Sequence, residues 1–471
     1  MNKRYLVPAL VPVMISLALA GCTLQPAYHR PAMPVAADWD AAGQRGKAAD
    51  GADIRWQTFF TDPAMHQLIG LALANNRDLR VAALNVETAR AQFHIDRAAL
   101  LPTVDLSASQ TAEHLPGNLY STQSSGPVTY HQYDASLGVT SWEMDFFGRV
   151  RSLRDKSLES YLSTEATQQA TQISLIAEVA TGYLTLCSDN ELLLLAQQTA
   201  ASQQQSYDLT KRSYDAGVST SQDLAQAETT VRSAQADVAQ YTRQVRQDIN
   251  ALRLLAGTGL PAGLAEHARL NKEWRFPATP AGLPSDLLTR RPDIIAAEHT
   301  LKAANANIGA ARAAFFPSIS LTAAGGSSSS SLGHLLEGGT AAWSFVPTIT
   351  LPIFDGGVNR ANLDIAKTSQ KIEVANYEKS IQTAFKEVSD ALAGQSTYQD
   401  ELDARSLNTA ANQRNYDASN MRYRQGVDNY LSVLVAQRSL YSAQQSQITT
   451  QLDLLQQQIT LYKVLGGGWR Q

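Results

Sequence analysis

Residues 423–431 read YRQGVDNYL, and the core of this stretch occurs twice in the chain. The earlier copy, residues 214–219, reads YDAGVS and lies 209 positions before the later one. Each copy places a lone Gly-Val pair inside a long segment that otherwise has helical composition. A glycine between two helical runs is the expected left-handed turn of a helical hairpin. The sequence therefore predicts two long hairpins with related tips in a duplicated fold.

The placement of proline and glycine predicts helices much longer than those of ordinary domains. All 17 prolines lie outside residues 128–260 and 353–471. Within residues 150–256 and 358–465, the only glycines besides the tip glycines Gly217 and Gly426 are Gly182 and Gly394. At ~1.5 Å per residue, the helix before each tip would reach ~100 Å if it is unbroken.

A second duplication precedes the hairpins. Residues 78–100 and 293–315 both read as helices that end shortly before a proline. An earlier helix begins at Asp62 and Pro63, which follow the usual order of an N-cap residue and an N1 proline. Each half of the chain is therefore predicted to contain a helix, two strands and a long helical hairpin.

The segments between these helices have the pattern of strands. Apolar and polar side chains alternate in residues 103–108, 132–140, 318–323 and 343–353. Such alternation is typical of transmembrane strands around a wet interior. A soluble antiparallel sheet is the alternative, although no remaining segment would supply its cover. The Gly- and Ser-rich stretches 113–127 and 325–340 are predicted to be loops.

The number of strands predicts association. Four strands cannot close a barrel, and eight strands from two chains would enclose an interior filled by side chains. We predict a mainly α protein with a small β-barrel part, built from two tandem helix-strand-strand-helix-helix repeats. Each chain has four β-strands and long coiled-coil hairpins, and a trimer forms a 12-stranded barrel on a 12-rod α-barrel. One apolar stripe has the seven-residue spacing of a coiled-coil seam. It consists of Ile448, Leu452, Leu455, Ile459 and Tyr462. Taken alone, this stripe would also allow a solitary coiled-coil stalk, which is the alternative.

The beginning of the chain predicts export and a lipid anchor. Residues 1–21 have a basic start and an apolar run that ends in Leu-Ala-Gly before Cys22. This pattern predicts a lipoprotein signal peptide and lipidation of Cys22. An ordinary signal peptide with an incidental cysteine is the alternative. The rest of the chain is divided into an arm, a first repeat, an equatorial connector, a second repeat and a tail: 22–61, 62–257, 258–290, 291–466 and 467–471.

Composition argues against several functional classes. The chain has 39 basic and 43 acidic residues, so nucleic acid is not an expected partner. Its eight histidines are scattered, and no metal-binding or phosphate-binding motif is present. Cys187 has apolar neighbours and is predicted to be buried and unreactive. We expect no catalytic residues, no bound metal and no cofactor.

Three stretches resemble the TolC-like outer membrane factor family, and in particular its NodT-type lipoprotein branch typified by OprM. They are residues 422–431, residues 436–440 (AQRSL) and residues 462–469 (YKVLGGGW). The resemblance implies a homotrimer in the bacterial outer membrane, anchored by lipid at Cys22 and extending into the periplasm. It also implies a passive exit duct of a tripartite efflux pump for small molecules such as drugs. The implied partners are a periplasmic adaptor and an inner-membrane transporter of RND or ABC type.

The resemblance also implies roles for particular residues. The adaptor would contact the tips at Gly217, Val218, Gly426 and Val427. The candidates for a periplasmic aperture, where three copies of a side chain would form a ring, are Asp223, Tyr423, Asp428, Leu431, Val435 and Arg438. Val435 stands where many relatives carry an aspartate. For every aperture candidate the alternative is a role in helix capping or hairpin packing. Asp428 in particular occupies a position where the N-cap of the following helix is expected.

Two other functions remain open from the sequence. The same architecture could form the outlet of a type I protein secretion system. A protein of another class, a non-conducting lipid-anchored structural coiled coil, would share the long helices but have no pore. No constellation of residues in the sequence supports a peripheral hydrolase of the envelope.

Overall fold

The structure of the chain is a computed structural model. It describes residues 23–36, 54–116, 126–270, 274, 276–277, 279, 285 and 287–469. The chain divides into two compact units, and the four strands belong to the unit that contains Val86–Thr164 and Ala297–Tyr377. The other unit contains Ala32–Asn85, Glu165–Ala296 and Glu378–Gln471.

The described elements repeat the predicted order twice. The first repeat contains α1 (Trp56–Phe59), α2 (Pro63–Asn75), α3 (Arg77–Ala98), β1 (Val104–Leu115), β2 (Val128–Glu143), α4 (Arg149–Asp215) and α5 (Ser221–Ala256). Two short helices follow, α6 (Leu264–His267) and α7 (Leu287–Arg290). The second repeat contains α8 (Pro292–Ala313), β3 (Ser318–Ser329), a 3-10 turn (Leu332–His334), β4 (Ala341–Thr350), α9 (Val358–Arg424) and α10 (Tyr430–Val464).

The duplication is close in length as well as in order. Helices α4 and α9 have 67 residues each, and the helices that follow them have 36 and 35 residues. Helices α3 and α8 have 22 residues each. The side chain of Asp62 accepts a hydrogen bond from the backbone N–H of Met65 at 2.8 Å, so α2 begins as the sequence predicts. The mainly α fold with four strands is confirmed.

The arm before α2 is only partly extended. No regular helix or strand occurs in residues 23–36, but residues 56–59 form the short helix α1. Phe59 and Phe60 are fully buried, and the ring of Phe59 stacks on that of Tyr462 with centroids 4.0 Å apart. This aromatic packing therefore holds the end of the arm in the core.

The core of this second unit lies along the coiled-coil stripe. Leu455, Ile459 and Tyr462 are buried, and the hydroxyl of Tyr462 donates to the carbonyl of Ile54 at 2.6 Å. Cys187 is fully buried in the same cluster. Its burial raises the pKa of the thiol to about 12. The prediction that Cys187 is buried is confirmed.

The four strands form one antiparallel sheet in the order β1-β2-β3-β4. The register places Leu106 opposite Leu137, Ala323 opposite Phe345 and Ile319 opposite Ile349. Residues directly opposite each other point to the same face of a sheet. The apolar rows that the alternation predicts on separate strands therefore fall on one face.

Two parts of the predicted loops belong to the sheet. Residues 113–115 continue β1, and the Gly- and Ser-rich residues 325–329 continue β3. The loop prediction was wrong at residues 113–115 because they pair with residues 128–130 of β2. It was wrong at residues 325–329 because β3 is paired on both sides, with β2 and with β4. Hydrogen bonds from two neighbours outweigh the low strand propensity of glycine.

A bulge in β2 adjusts the alternation near its end. The register shifts between Val139 and Trp142, and Ser141 takes a positive φ of 53°. One extra residue in a strand is the usual origin of such a shift. As a result Trp142 lies opposite Leu321 and joins the apolar face, which uninterrupted alternation would not allow.

Strands β2 and β3 approach each other closely at Gly326, where a larger residue does not fit. A Cβ atom on Gly326 would lie 2.0 Å from the carbonyl oxygen of Ala135. A Cβ atom on the neighbouring Gly325 would meet nothing within 4 Å. These two adjacent glycines therefore form a matched pair for testing the packing of the sheet.

We expect Gly326→Ala to destabilise the sheet by about 1–3 kcal/mol, because the strands must separate to admit the methyl group. Gly325→Ala is the control and should change stability much less. Thermal unfolding of the two purified variants measures the difference. Equal melting temperatures for both would show that the close approach at Gly326 does not constrain the fold.

Candidate functional site

The first hairpin tip is a tight turn between α4 and α5. Gly217 has a φ of +75°, and the N–H of Val218 donates to the carbonyl of Ser213 at 2.9 Å. This is the geometry that ends a helix with a left-handed glycine. The side chain of Val218 is left 82% exposed at the end of the turn. An apolar side chain with this exposure is available to a partner protein.

Asp223 is part of a capping box at the start of α5. The hydroxyl of Thr220 accepts from the N–H of Asp223 at 3.1 Å, and the carboxylate of Asp223 accepts from the N–H of Thr220 at 3.0 Å. The hydrogen bonds from Thr220 lower the pKa of Asp223. Within one chain this carboxylate therefore satisfies backbone groups that the helix end leaves free.

The second tip has the same turn but different side chains. Gly426 has a φ of +72°, and the N–H of Val427 donates to the carbonyl of Arg422 at 3.0 Å. Val427 is 59% exposed. The ring of Tyr423 packs against that of Tyr430 with centroids 5.2 Å apart. Tyr423 is thus half-buried at the base of the turn.

Asp428 does not cap α10, contrary to the interpretation from the sequence. Asn429 is the N-cap, and its side chain accepts from the N–H of Ser432 at 3.2 Å. The carboxylate of Asp428 instead accepts two hydrogen bonds from Arg422, at 2.6 and 3.0 Å. This interaction lowers the pKa of Asp428. Asn429 caps the helix in place of Asp428 because it directly precedes the first helical residue and has the extended backbone of a cap.

The remaining aperture candidates lie on one face of α10. Leu431, Val435 and Arg438 follow the spacing of four and three residues that places side chains in one row. All three are exposed, whereas Leu434 and Gln437 on the packed face are buried. Hairpin packing therefore does not explain these three residues within one chain. Their role in an aperture stays a prediction.

Arg438 also borders a polar pocket of about 490 Å³. Its lining comes entirely from α9 and α10, namely Arg405, Asn408, Asn412, Arg438, Ser439, Ser442, Ala443 and Ser446. The pocket is wide and shallow and contains no acidic side chain in its lining. It provides a wetted surface beside the exposed row of α10.

The arm that follows the predicted lipidation site runs along α8. Arg312 donates to the carbonyl of Leu24 at 3.1 Å, and Asn305 donates to the carbonyl of Pro26 at 2.8 Å. Farther along, the guanidinium of Arg30 lies 2.8 Å from the carboxylate of Glu298. The arm and the helix are therefore antiparallel. Cys22 itself lies outside the described residues.

Glu298 is the centre of this attachment. Its carboxylate also accepts from the hydroxyl of Tyr28 at 3.2 Å and lies 3.3 Å from the ammonium of Lys302. Burial works against its negative charge, but Arg30 and Lys302 hold the pKa of Glu298 below its ordinary value. This cluster was not predicted from the sequence, because nothing local connects residues about 270 positions apart.

Neither a metal site nor a membrane-spanning helix is found in the part of the chain that the structure describes. No group of three histidine, cysteine or acidic side chains there is arranged to hold a metal ion. No helix in the same part is both long and apolar enough to cross a membrane.

Comparison with known proteins relates this arrangement to a family. The family model described as "Outer membrane efflux protein" matches residues 68–258 and 283–467. The probable efflux pump outer membrane protein TtgC of Pseudomonas putida is 50% identical over 456 residues, covering 96% of this chain and 93% of that protein. The outer membrane protein OprJ of Pseudomonas aeruginosa is 41% identical over 460 residues, covering 97% of this chain and 95% of that protein.

Solved structures agree with the sequence comparisons. The open state of the outer membrane channel MtrE of Neisseria gonorrhoeae superposes with a TM-score of 0.84 at 38% identity, covering 95% of this chain and 99% of that one. The outer-membrane channel OprN superposes with a TM-score of 0.84 at 30% identity, covering 95% of this chain and 100% of that one.

Paired long hairpins with exposed tips and a four-stranded sheet with one apolar face define the class of TolC-like outer membrane efflux channels. The chain belongs to the outer membrane efflux protein family. The family resemblance and the bacterial outer membrane location inferred from the sequence are thereby confirmed.

The assignment of the cap at the second tip can be tested directly. We expect Asn429→Ala to cost about 1 kcal/mol in the first turn of α10, because it removes the acceptor for the Ser432 N–H. Amide hydrogen exchange in that turn should become about five-fold faster. Asp428→Ala is the control, since it leaves the cap in place. A larger effect from Asp428→Ala would show that the aspartate caps the helix after all.

Proposed function

We propose that the chain forms a homotrimeric, passive exit duct of a tripartite efflux pump. The observation that carries the trimer is the order of the sheet, which leaves β1 and β4 as edge strands. These two strands run in opposite directions, so β4 of one copy can pair antiparallel with β1 of the next. Three copies supply twelve strands and twelve helical rods, enough to close a barrel around a water-filled channel.

The apolar face of the sheet supports membrane insertion of this trimer. Trp142 lies on that face opposite Leu321, and the face also carries Leu106, Phe345 and Ile349. The last three side chains are all more than 60% exposed in the single chain. A large exposed apolar surface marks an interaction site. Lipid on this face and water on the polar face agree with the alternation along the strands.

The tips support docking of a periplasmic adaptor, which would connect the duct to an inner-membrane transporter of RND or ABC type. Val218 and Val427 are the exposed apolar side chains at the two turns. The related proteins are named as outer membrane proteins of efflux pumps, and relatives of Pseudomonas putida are named for antibiotic and toluene efflux. These names support small, largely apolar molecules as the cargo, rather than the proteins that a type I secretion outlet would carry.

A lipid anchor at Cys22 is part of the proposal. The attachment of residues 24–30 to α8 brings the chain close to the end of that helix, where β3 follows after Pro317. Acyl chains on Cys22 would anchor the chain to the membrane in addition to the strands. Mass spectrometry of the mature N-terminal peptide tests whether Cys22 is lipidated. We propose no catalytic step, because a passive duct requires none.

Conductance tests the duct. We expect the purified trimer to conduct ions weakly in a planar bilayer, and Asp223→Ala combined with Tyr423→Phe to increase conductance by loosening the tips. The matched control is Asp400→Ala combined with Tyr398→Phe, which changes the same residue types on α9 away from the tip. A trimer that never conducts, even with the tip substitutions, would reject the duct in favour of a structural coiled coil.

Crosslinking tests the partners. A photo-reactive amino acid at position 218 or 427 should capture a periplasmic adaptor in cells, because these side chains project from the turns. The same amino acid at Val346, which is exposed on β4, is the control and should capture no adaptor. Capture of a type I secretion adaptor would instead support the protein-export alternative.

A further inference from the structure

A basic pocket lies between the arm, α8 and the N-terminal part of α9. Its volume is about 360 Å³, and residues 26–29 of the arm form one of its walls. Three lining side chains carry a positive charge, namely Arg312 of α8 and Lys367 and Lys371 of α9. No acidic side chain belongs to the lining. The pocket therefore concentrates positive charge in a concave site.

The wall formed by the arm is closely packed on α8. A Cβ atom on Gly309 of α8 would lie 2.9 Å from the Cα atom of Gln25, so the backbone of the arm touches the helix there. The two hydrogen bonds from α8 to the carbonyls of the arm hold the same stretch. The ion pair of Arg30 with Glu298 fixes the arm farther along. The pocket is thus formed before any ligand binds, which lowers the cost of binding.

The two lysines are placed side by side. Lys367 and Lys371 are four residues apart on α9, so their side chains lie in one row along the helix. Like charges at this spacing repel each other and destabilise a helix. Both lysines are exposed, and among the described residues neither forms an ion pair or a hydrogen bond within the chain. An anion between them would remove the repulsion.

Arg312 adds donors from the facing helix. It is half-buried, and one of its N–H groups donates to the carbonyl of Leu24 at 3.1 Å. A guanidinium has five N–H donors, so this bond leaves most of them available. No carboxylate of the described chain forms an ion pair with Arg312. Its positive charge is therefore directed to the pocket without internal compensation.

The nearest acidic groups do not neutralise the pocket. The carboxylate of Glu298 lies between Arg30 and Lys302, so its charge is already matched. Asp364 and Glu373 belong to the same part of α9, but both are outside the lining. Neither forms an ion pair with a lysine of the pocket in the described residues. The three cations of the lining consequently lack a counter-charge from the chain.

The pocket faces away from the exposed apolar row of α9. That row consists of Val358, Ile365 and Ile372, which recur every seven residues and are all more than half exposed. Lys367 follows Ile365 by two positions, or roughly 200° around the helix at about 100° per residue. Contacts of a neighbouring copy with the apolar row would therefore leave the pocket accessible.

The surroundings of the pocket indicate the chemistry of its ligand. Three cations on two helices require an anion with several acceptor oxygens, which a phosphate group provides. Leu301, Ile308 and Val374 line the pocket beside the cations and offer an apolar surface. Ser318, the first residue of β3, follows Arg312 by six positions, so the pocket lies near the sheet. The headgroup and glycerol of a membrane phospholipid match this combination of charge, apolar wall and location.

We propose that this pocket binds the phosphate group of an anionic ligand, with Arg312, Lys367 and Lys371 as its donors. Two sources carry this chemistry, the headgroup of an anionic phospholipid in the outer membrane and soluble phosphate. The site is formed within one chain. It depends neither on the pump partners proposed above nor on a lipid at Cys22.

Isothermal titration calorimetry of the full-length protein in a non-ionic detergent tests the site. The probes are inorganic phosphate and short-chain phosphatidylglycerol, titrated separately. We expect Lys367→Gln combined with Lys371→Gln to weaken binding by about ten-fold or more, because two charge-assisted hydrogen bonds are lost. Both lysines are exposed, so thermal unfolding of this pocket variant should match that of the unsubstituted protein.

A matched control removes the same charge elsewhere on α9. Lys379→Gln combined with Arg414→Gln alters two exposed cations that do not line the pocket, and it should leave binding unchanged. Short-chain phosphatidylcholine, whose quaternary ammonium offsets the phosphate charge, should bind more weakly than phosphatidylglycerol. Added salt should weaken binding, because the lysines are open to solvent.

The two titrations also distinguish the sources of the phosphate group. Tighter binding of phosphatidylglycerol than of inorganic phosphate would assign the pocket to a lipid headgroup, and the reverse order would assign it to soluble phosphate. Either order supports the proposal when the pocket variant loses the binding. Binding of neither probe would overturn it. So would equal binding by the unsubstituted protein and the pocket variant, or an equal loss in the control variant.

Discussion

Backbone hydrogen bonding at the edges of the sheet is the constraint on which the rest of the structure depends. In the part of the chain that the structure describes, strands β1 and β4 each have a neighbour on one side only. An unpaired strand edge is an aggregation risk in water and is not tolerated in lipid. Because one face of the sheet is apolar, solvation by water alone does not resolve this conflict. Pairing between copies satisfies both edges at once, and the proposed trimer is the smallest closed arrangement that also leaves a channel.

The repeats share a backbone but differ in side-chain chemistry. Both tips use a left-handed glycine and an exposed valine. Across the second turn Arg422 pairs with Asp428, whereas the equivalent positions of the first are Ser213 and Ser219. The duplicated fold therefore provides two chemically distinct surfaces for a partner.

The sequence predicted what depends on periodicity and on special residues. The long helices follow from the absence of proline, and the tip turns follow from Gly217 and Gly426. Contacts between distant segments could not be predicted in this way. The attachment of Arg30 to Glu298 and the stacking of Phe59 on Tyr462 join residues far apart in sequence. The cap of α10 was misplaced by one position, because several polar residues precede that helix and only backbone geometry distinguishes them.

Polar contacts between the hairpins fix how their helices align. Tyr441 donates to Asp237 at 3.1 Å, and Gln445 donates to Tyr241 at 3.0 Å. Both contacts join residues 204 positions apart, so α5 and α10 run parallel at a constant offset. Apolar surfaces tolerate sliding, since burial is roughly proportional to area and has no direction. Hydrogen bonds between partly buried groups do not, because a shift of one turn would leave donors and acceptors unpaired. Helices rich in small and polar residues can therefore hold a defined register without a continuous apolar seam.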